Sequence, residues 1–117
     1  MADAPALPGL PEPPPLGAAA LPDGTYEGRV VLVTGGGTGL GRAIATEFAR
    51  LGASVGILSR NEDHRAAGMA SVKEAGGTAL GAACDIREPE SIAAAFDAVE
   101  SGLGPIDVLI NLSLIHI

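Results

Sequence analysis

The most constraining feature is the run Thr34-Gly35-Gly36-Gly37-Thr38-Gly39-Leu40-Gly41, set between a short aliphatic segment and an amphipathic one. Glycines at this density let a chain turn sharply and bring backbone N–H groups close to a ligand. Val30-Val31-Leu32-Val33 before it has apolar side chains on both faces, as a buried parallel strand requires. After it, Leu40, Ile44, Phe48 and Leu51 recur at helical spacing until Gly52 ends the helix. A strand, a glycine loop and a helix in this order form a phosphate cradle, with helix N–H groups and the positive end of the dipole facing the anion. The glycine cluster alone is weak evidence; its context makes it specific.

The pattern repeats downstream. Ser54 to Leu58 predicts a second strand, and Glu62 to about Ala75 a helix stopped by Gly76-Gly77. Thr78 to Cys84 predicts a weaker third strand. Pro89 suits the first position of a helix whose buried stripe is Ile92, Phe96, Val99 and Leu103. Gly104-Pro105 stops that helix, and Ile106 to Ile110 predicts a fourth strand. The order β-α-β-α-β-α-β, with short connections, implies an α/β fold with an open, doubly wound parallel sheet.

Composition sharpens the boundaries. Seven of the nine prolines fall in the first 22 residues, so residues 1–24 are expected to form a disordered Pro/Ala-rich tail. The net charge is −7 and the seven basic residues are scattered, which argues against a nucleic-acid surface. No apolar run reaches membrane-spanning length and no signal peptide is evident, so a cytoplasmic protein with no membrane partner is expected. Cys84 is the only cysteine, which excludes an intrachain disulfide and reads as a small apolar residue near a strand end. No metal site is expected.

The last six residues, Leu112 to Ile117, match the in-frame translation of CTG TCT CTT ATA CAC ATC, the start of a transposase mosaic-end adapter used in sequencing libraries. We therefore expect residues 112–117 to be a non-native, adapter-derived tail without functional weight, His116 included. The competing reading is an apolar strand extension.

The glycine spacing, Thr-Gly-x3-Gly-x-Gly, resembles the nucleotide motif of the short-chain dehydrogenase/reductase family. Thr34, Gly35, Gly39 and Gly41 occupy its fixed positions. The resemblance extends over about residues 28–111. It implies a Rossmann-type domain, residues 25–111, truncated after the fourth strand of a longer sheet. It also implies a dinucleotide cofactor held by Gly35, Gly37, Thr38, Gly39, Leu40 and Gly41. Asp85-Ile86 sits where the family accepts a hydrogen bond from the adenine amino group, although Asp85 could instead cap the next helix. Asn111 matches the first residue of the family's Asn-Asn-Ala-Gly motif.

At the end of the second strand, an NAD-preferring site carries an acidic residue for the ribose hydroxyls. Here Ser59 takes that place and Arg60 is free to pair with a 2′-phosphate, so NADP(H) is favoured over NAD(H). Glu62 and Asp63 are expected in the first turn of the following helix. The family's catalytic Tyr-x-x-x-Lys follows the fourth strand and is absent here; Tyr26 and Lys73 are not substitutes. No catalytic residue is assigned, and the 117-residue chain is expected to be inactive. The stretches GGGTGLGRA, SRN and Cys84 to Pro89 resemble the 2,4-dienoyl-CoA reductase branch, which implies an acyl-thioester substrate and a homo-oligomeric parent enzyme. The alternatives are a 3-oxoacyl-thioester reductase, an alcohol or sugar dehydrogenase, or a non-catalytic dinucleotide-sensing module.

Overall fold

The computed structural model describes residues 9–18 and 20–112. The elements are β1 (Val30–Thr34), α1 (Gly39–Arg50), β2 (Ser54–Ser59), α2 (Glu62–Glu74), β3 (Thr78–Ala83), α3 (Pro89–Leu103) and β4 (Val108–Asn111). All strand pairings are parallel and the order across the sheet is β3-β2-β1-β4. This is a Rossmann-type α/β sheet, as the alternation of aliphatic runs and helical stripes implied.

The two faces of β1 explain why both sides of the sheet are covered. Val31 and Val33 are fully buried with Val55, Ile57, Ala45, Ala49 and Val72, beneath α1 and α2. Val30 and Leu32 point the other way, into a cluster with Leu58, Ala95 and Val99 of α3. A strand apolar at every position can be satisfied only between two layers. Removing Leu32, Ile57 or Val99 from water contributes about 1.5–3 kcal/mol each before conformational entropy is counted.

In α3 the buried residues are Ala95 and Val99, with Ile92, Phe96 and Leu103 of the expected stripe only partly buried, and two further details differ from the sequence expectations. The buried face of α1 is Gly41, Ala45 and Ala49, while Ile44 and Phe48 are only half-buried and Leu40 is 68% exposed. Small residues face the sheet because the helix start lies against the glycine loop. A Cβ on Gly41 would collide with the Gly35 carbonyl oxygen. The second difference is β4, which begins at Val108 and not at Ile106. The Asp107 carboxylate accepts the Val30 N–H at 2.9 Å, taking a bond that a strand carbonyl would otherwise receive. Ile106 packs into the α3-side cluster instead. β4 lies at the sheet edge, with Leu109 half-exposed.

Upstream of β1, the Asp23 carboxylate pairs with Arg50 at 2.8 Å and the Tyr26 ring meets Phe48 edge-on at 5.0 Å. The boundary expected at residue 24 thus falls within a segment that touches the end of α1. Leu112 lies just past β4, and residues 113–117, where the rest of the adapter reading falls, are outside the described residues. No helix among the described residues is long and apolar enough to cross a membrane.

Gly41→Ala is expected to destabilise the fold by about 1–3 kcal/mol, because a backbone oxygen cannot give way as a flexible side chain can. Thermal unfolding followed by circular dichroism checks this. An unchanged midpoint would mean that the α1–loop contact is looser than described.

Candidate dinucleotide-binding cleft

Parallel strands bring their C-terminal ends to one edge of the sheet, and the loops leaving that edge enclose a cleft of about 990 Å³. Its walls come from Gly35, Thr38, Gly39, Leu40 and Gly41 after β1, from Ser59 to Asn61 after β2, and from Cys84 to Arg87 after β3. His64 and Leu112 complete the lining. Of the residues singled out in the sequence, nine meet in this cleft: Gly35, Thr38, Gly39, Leu40, Gly41, Ser59, Arg60, Asp85 and Ile86. Gly37 and Asn111 do not line it. A Cβ on Gly37 would run into the His64 backbone, so its absence lets α2 dock on the loop. Asn111 is exposed at the end of β4, its Oδ1 accepting a 2.7 Å hydrogen bond from the Thr34 hydroxyl.

The floor of the cleft is the start of α1. Its N-cap, Thr38, makes no side-chain capping bond, and the first turn carries no acidic residue. The N-terminus of α2 is served differently: Asn61 Oδ1 accepts from His64 N–H at 3.0 Å, and Glu62 and Asp63 occupy the first turn. Those two acids are therefore helix N-terminal residues, as expected, and neither lines the cleft. α3 carries Glu90 in its first turn. Among the three helices only α1 offers amide donors with neither cap nor carboxylate, the condition an incoming anion needs. Gly35 turns at φ +74° and Gly39 at φ +53°, which shapes the loop around those donors.

The side walls differ in charge. At the end of β2, Ser59 Oγ accepts from Asn61 N–H at 3.1 Å, and the Ser59 carbonyl accepts from Arg65 Nη1 at 2.7 Å. Arg65 thus fixes the backbone beside Arg60, a contact no motif announced. Arg60 forms no hydrogen bond or ion pair among the described residues. After β3, Asp85 Oδ1 accepts from both the backbone N–H and Nε of Arg87 at 3.0 Å, and Oδ2 accepts from Nη2 at 2.9 Å. The Arg87 side chain first, then its backbone N–H, hold the Asp85 carboxyl down at about 2. The N–H of Asp85 donates to Ser91 Oγ at 2.9 Å, which ties the loop to α3. The N-cap of α3 is Glu88, so Asp85 does not cap that helix.

Cys84 is buried at the cleft wall, and that burial pushes its thiol above the usual range, against the lowering effect of Ser91. This fits a packing residue and not a thiolate nucleophile. Tyr26 and Lys73 lie outside the cleft lining.

The family model described as short chain dehydrogenase matches residues 29–113. The chain belongs to the short-chain dehydrogenase family. An uncharacterized oxidoreductase of Caenorhabditis elegans is 48% identical over 100 residues, which cover 84% of this chain and 32% of that protein. A probable 2,4-dienoyl-CoA reductase of the same organism is 43% identical over 93 residues, or 78% of this chain and 30% of the relative. Among solved structures, a citronellol catabolism dehydrogenase of Pseudomonas aeruginosa superposes with TM-score 0.74 at 34% identity, covering 78% of this chain and 38% of that one. The chain thus spans about a third of the length of the curated relatives it matches. The short-chain dehydrogenase fold binds an NAD(P) cofactor.

The Asp85–Arg87 pair has a pH signature. The folded value lies below the ordinary 3.8, so its contribution to stability is complete above about pH 4 and is lost as pH falls toward 2. Arg87→Ala is expected to return Asp85 toward 3.8, measured by NMR titration of its carboxyl carbon. A value unmoved by the substitution would assign the depression to some other group.

Proposed function

We propose that residues 25–111 form the cofactor-binding unit of an NADPH-dependent oxidoreductase that reduces enoyl or dienoyl thioesters. The observation that carries the cofactor preference is the end of β2, where Ser59 and Arg60 line the cleft and neither position is acidic; the Arg60 guanidinium makes no hydrogen bond or ion pair among the described residues, although its charge reaches Asp85. An acidic residue there would repel a 2′-phosphate, whereas a guanidinium binds it through charge-assisted hydrogen bonds. The pyrophosphate lies at the uncapped start of α1, against Gly35, Thr38, Gly39, Leu40 and Gly41. Asp85 and Ile86 take the adenine ring, and Asn111 holds the end of β4 through Thr34. Gly37 contributes indirectly, by admitting α2 to the loop.

The thioester substrate is supported by the 43% identity to a probable 2,4-dienoyl-CoA reductase. Hydride transfer needs a proton donor for the reduced carbon or oxygen. The only tyrosine, Tyr26, is engaged at the far end of α1 with Phe48 and Leu51, and no Tyr-x-x-x-Lys occurs in the chain. We therefore assign it binding without turnover, and read residues 112–117 as adapter-derived. The complete enzyme is a cytoplasmic homo-oligomer in this reading.

Two outcomes check it. Ser59→Asp combined with Arg60→Ala is expected to weaken NADPH binding by about 1.5–3 kcal/mol while sparing NADH, read by nicotinamide fluorescence titration. A chain that prefers NADH before substitution contradicts the preference. The purified 117-residue chain is expected to show no oxidation of NADPH with enone, dienoyl or ketone acceptors. Reproducible turnover, absent from a Gly41→Ala control preparation, would contradict the assignment of binding alone.

A further inference from the structure

The hydrogen bonds around Asp85 leave an asymmetry that the family resemblance does not describe. A carboxylate oxygen offers two lone pairs. Oδ1 has both engaged, by the backbone N–H and by Nε of Arg87. Oδ2 has one engaged, by Nη2 of the same guanidinium. The Asp85 N–H is held separately by Ser91. One acceptor position therefore remains, on Oδ2, in a residue that lines the cleft beside Ile86. The fork from Nε and Nη2 fixes both carboxylate oxygens at once, so the plane and direction of that remaining lone pair are set by Arg87 and not by the backbone alone.

We propose that Arg87 is a positioning residue for base recognition, aiming the free lone pair of Asp85 Oδ2 at a ring amino group and so selecting adenine over a base that carries a carbonyl there. The inference rests on the cleft being a dinucleotide site. A carboxylate with one open lone pair and no proton accepts from an amino group and repels a carbonyl oxygen. Ile86, packed against the α3-side cluster and lining the cleft next to it, supplies an apolar surface for a flat ring. The low proton affinity of Asp85 keeps the acceptor ionised across the neutral range. Arg87 is 58% exposed at its side chain, so its replacement removes the fork without opening a cavity in the core.

The test is a ratio, which a merely structural role would not move. Binding of NADPH and of its hypoxanthine counterpart, in which the ring amino group is replaced by a carbonyl, is measured on the 117-residue chain by fluorescence titration. If NADH binds more tightly, it and its own hypoxanthine counterpart are used. The unaltered chain is expected to prefer the adenine form at least about tenfold, the effect of losing one hydrogen bond to a charged acceptor. Arg87→Ala and Arg87→Lys should both bring the ratio near unity, since lysine keeps the charge but lacks the planar fork. Asp85→Asn should do the same, and adding Arg87→Ala to it should change the ratio no further. Retention of the tenfold ratio in Arg87→Lys, or a ratio near one in the unaltered chain, would overturn the proposal while leaving cofactor binding intact. Failure of the chain to bind any of the four dinucleotides would overturn the dinucleotide site and this inference with it.

Discussion

The contact on which the rest depends is the approach of α1 to the turn that leaves β1. Gly41 lies so close to the Gly35 carbonyl that any side chain there would strike a backbone atom. This closeness sets the axis of α1 over the sheet and brings its uncapped N-terminus to the mouth of the cleft. It also selects Ala45 and Ala49 for the buried face, since larger side chains would hold the helix away. Helix packing and the position of the uncapped α1 N-terminus both follow from this single close approach.

Parallel pairing does the remaining assembly. Because β1, β2 and β3 run in one direction, the residues following each strand converge at one edge although they are about 25 residues apart in the chain. Gly35, Ser59 and Asp85 share a cleft for this reason alone. The Thr34 hydroxyl adds β4 to the edge, donating to Asn111 Oδ1 and accepting from Leu112 N–H. Gly35, Ser59 and Asp85 are thereby brought to one edge by strand pairing, and side-chain contacts such as Thr34–Asn111 and Arg87–Asp85 refine that edge.

Charge is distributed around the cleft with a clear division. α2 and α3 carry their own acids at their N-termini, and Asp85 is occupied by Arg87. Arg60 makes no hydrogen bond or ion pair among the described residues, although its charge reaches Asp85, and the start of α1 has no side-chain cap. Ile86 presents an apolar side chain to the cleft beside Asp85. In a chain of net charge −7, Arg60 and the uncapped start of α1 gather donors locally at one cleft.

The sequence by itself determined the strand and helix order, the glycine loop and the residues at the strand ends. Each of these follows from local rules: aliphatic runs must be buried on both faces, and glycine spacing permits only certain turns. It also showed that Ser59 stands where an acid would be. The tertiary structure alone decided which helix residues face the sheet. Leu40, Ile44, Phe48 and Leu51 share a helical stripe, yet the close approach at Gly41 turns the small-residue face inward and leaves Leu40 exposed. It decided that β4 begins at Val108, because the Asp107 carboxylate takes up the Val30 amide from 77 residues away. It separated Gly37 from the cleft by packing α2 against it, and it joined Arg87 to Asp85 and Arg65 to the Ser59 carbonyl. These outcomes depend on distances between side chains and backbone groups, which residue spacing along a chain does not encode.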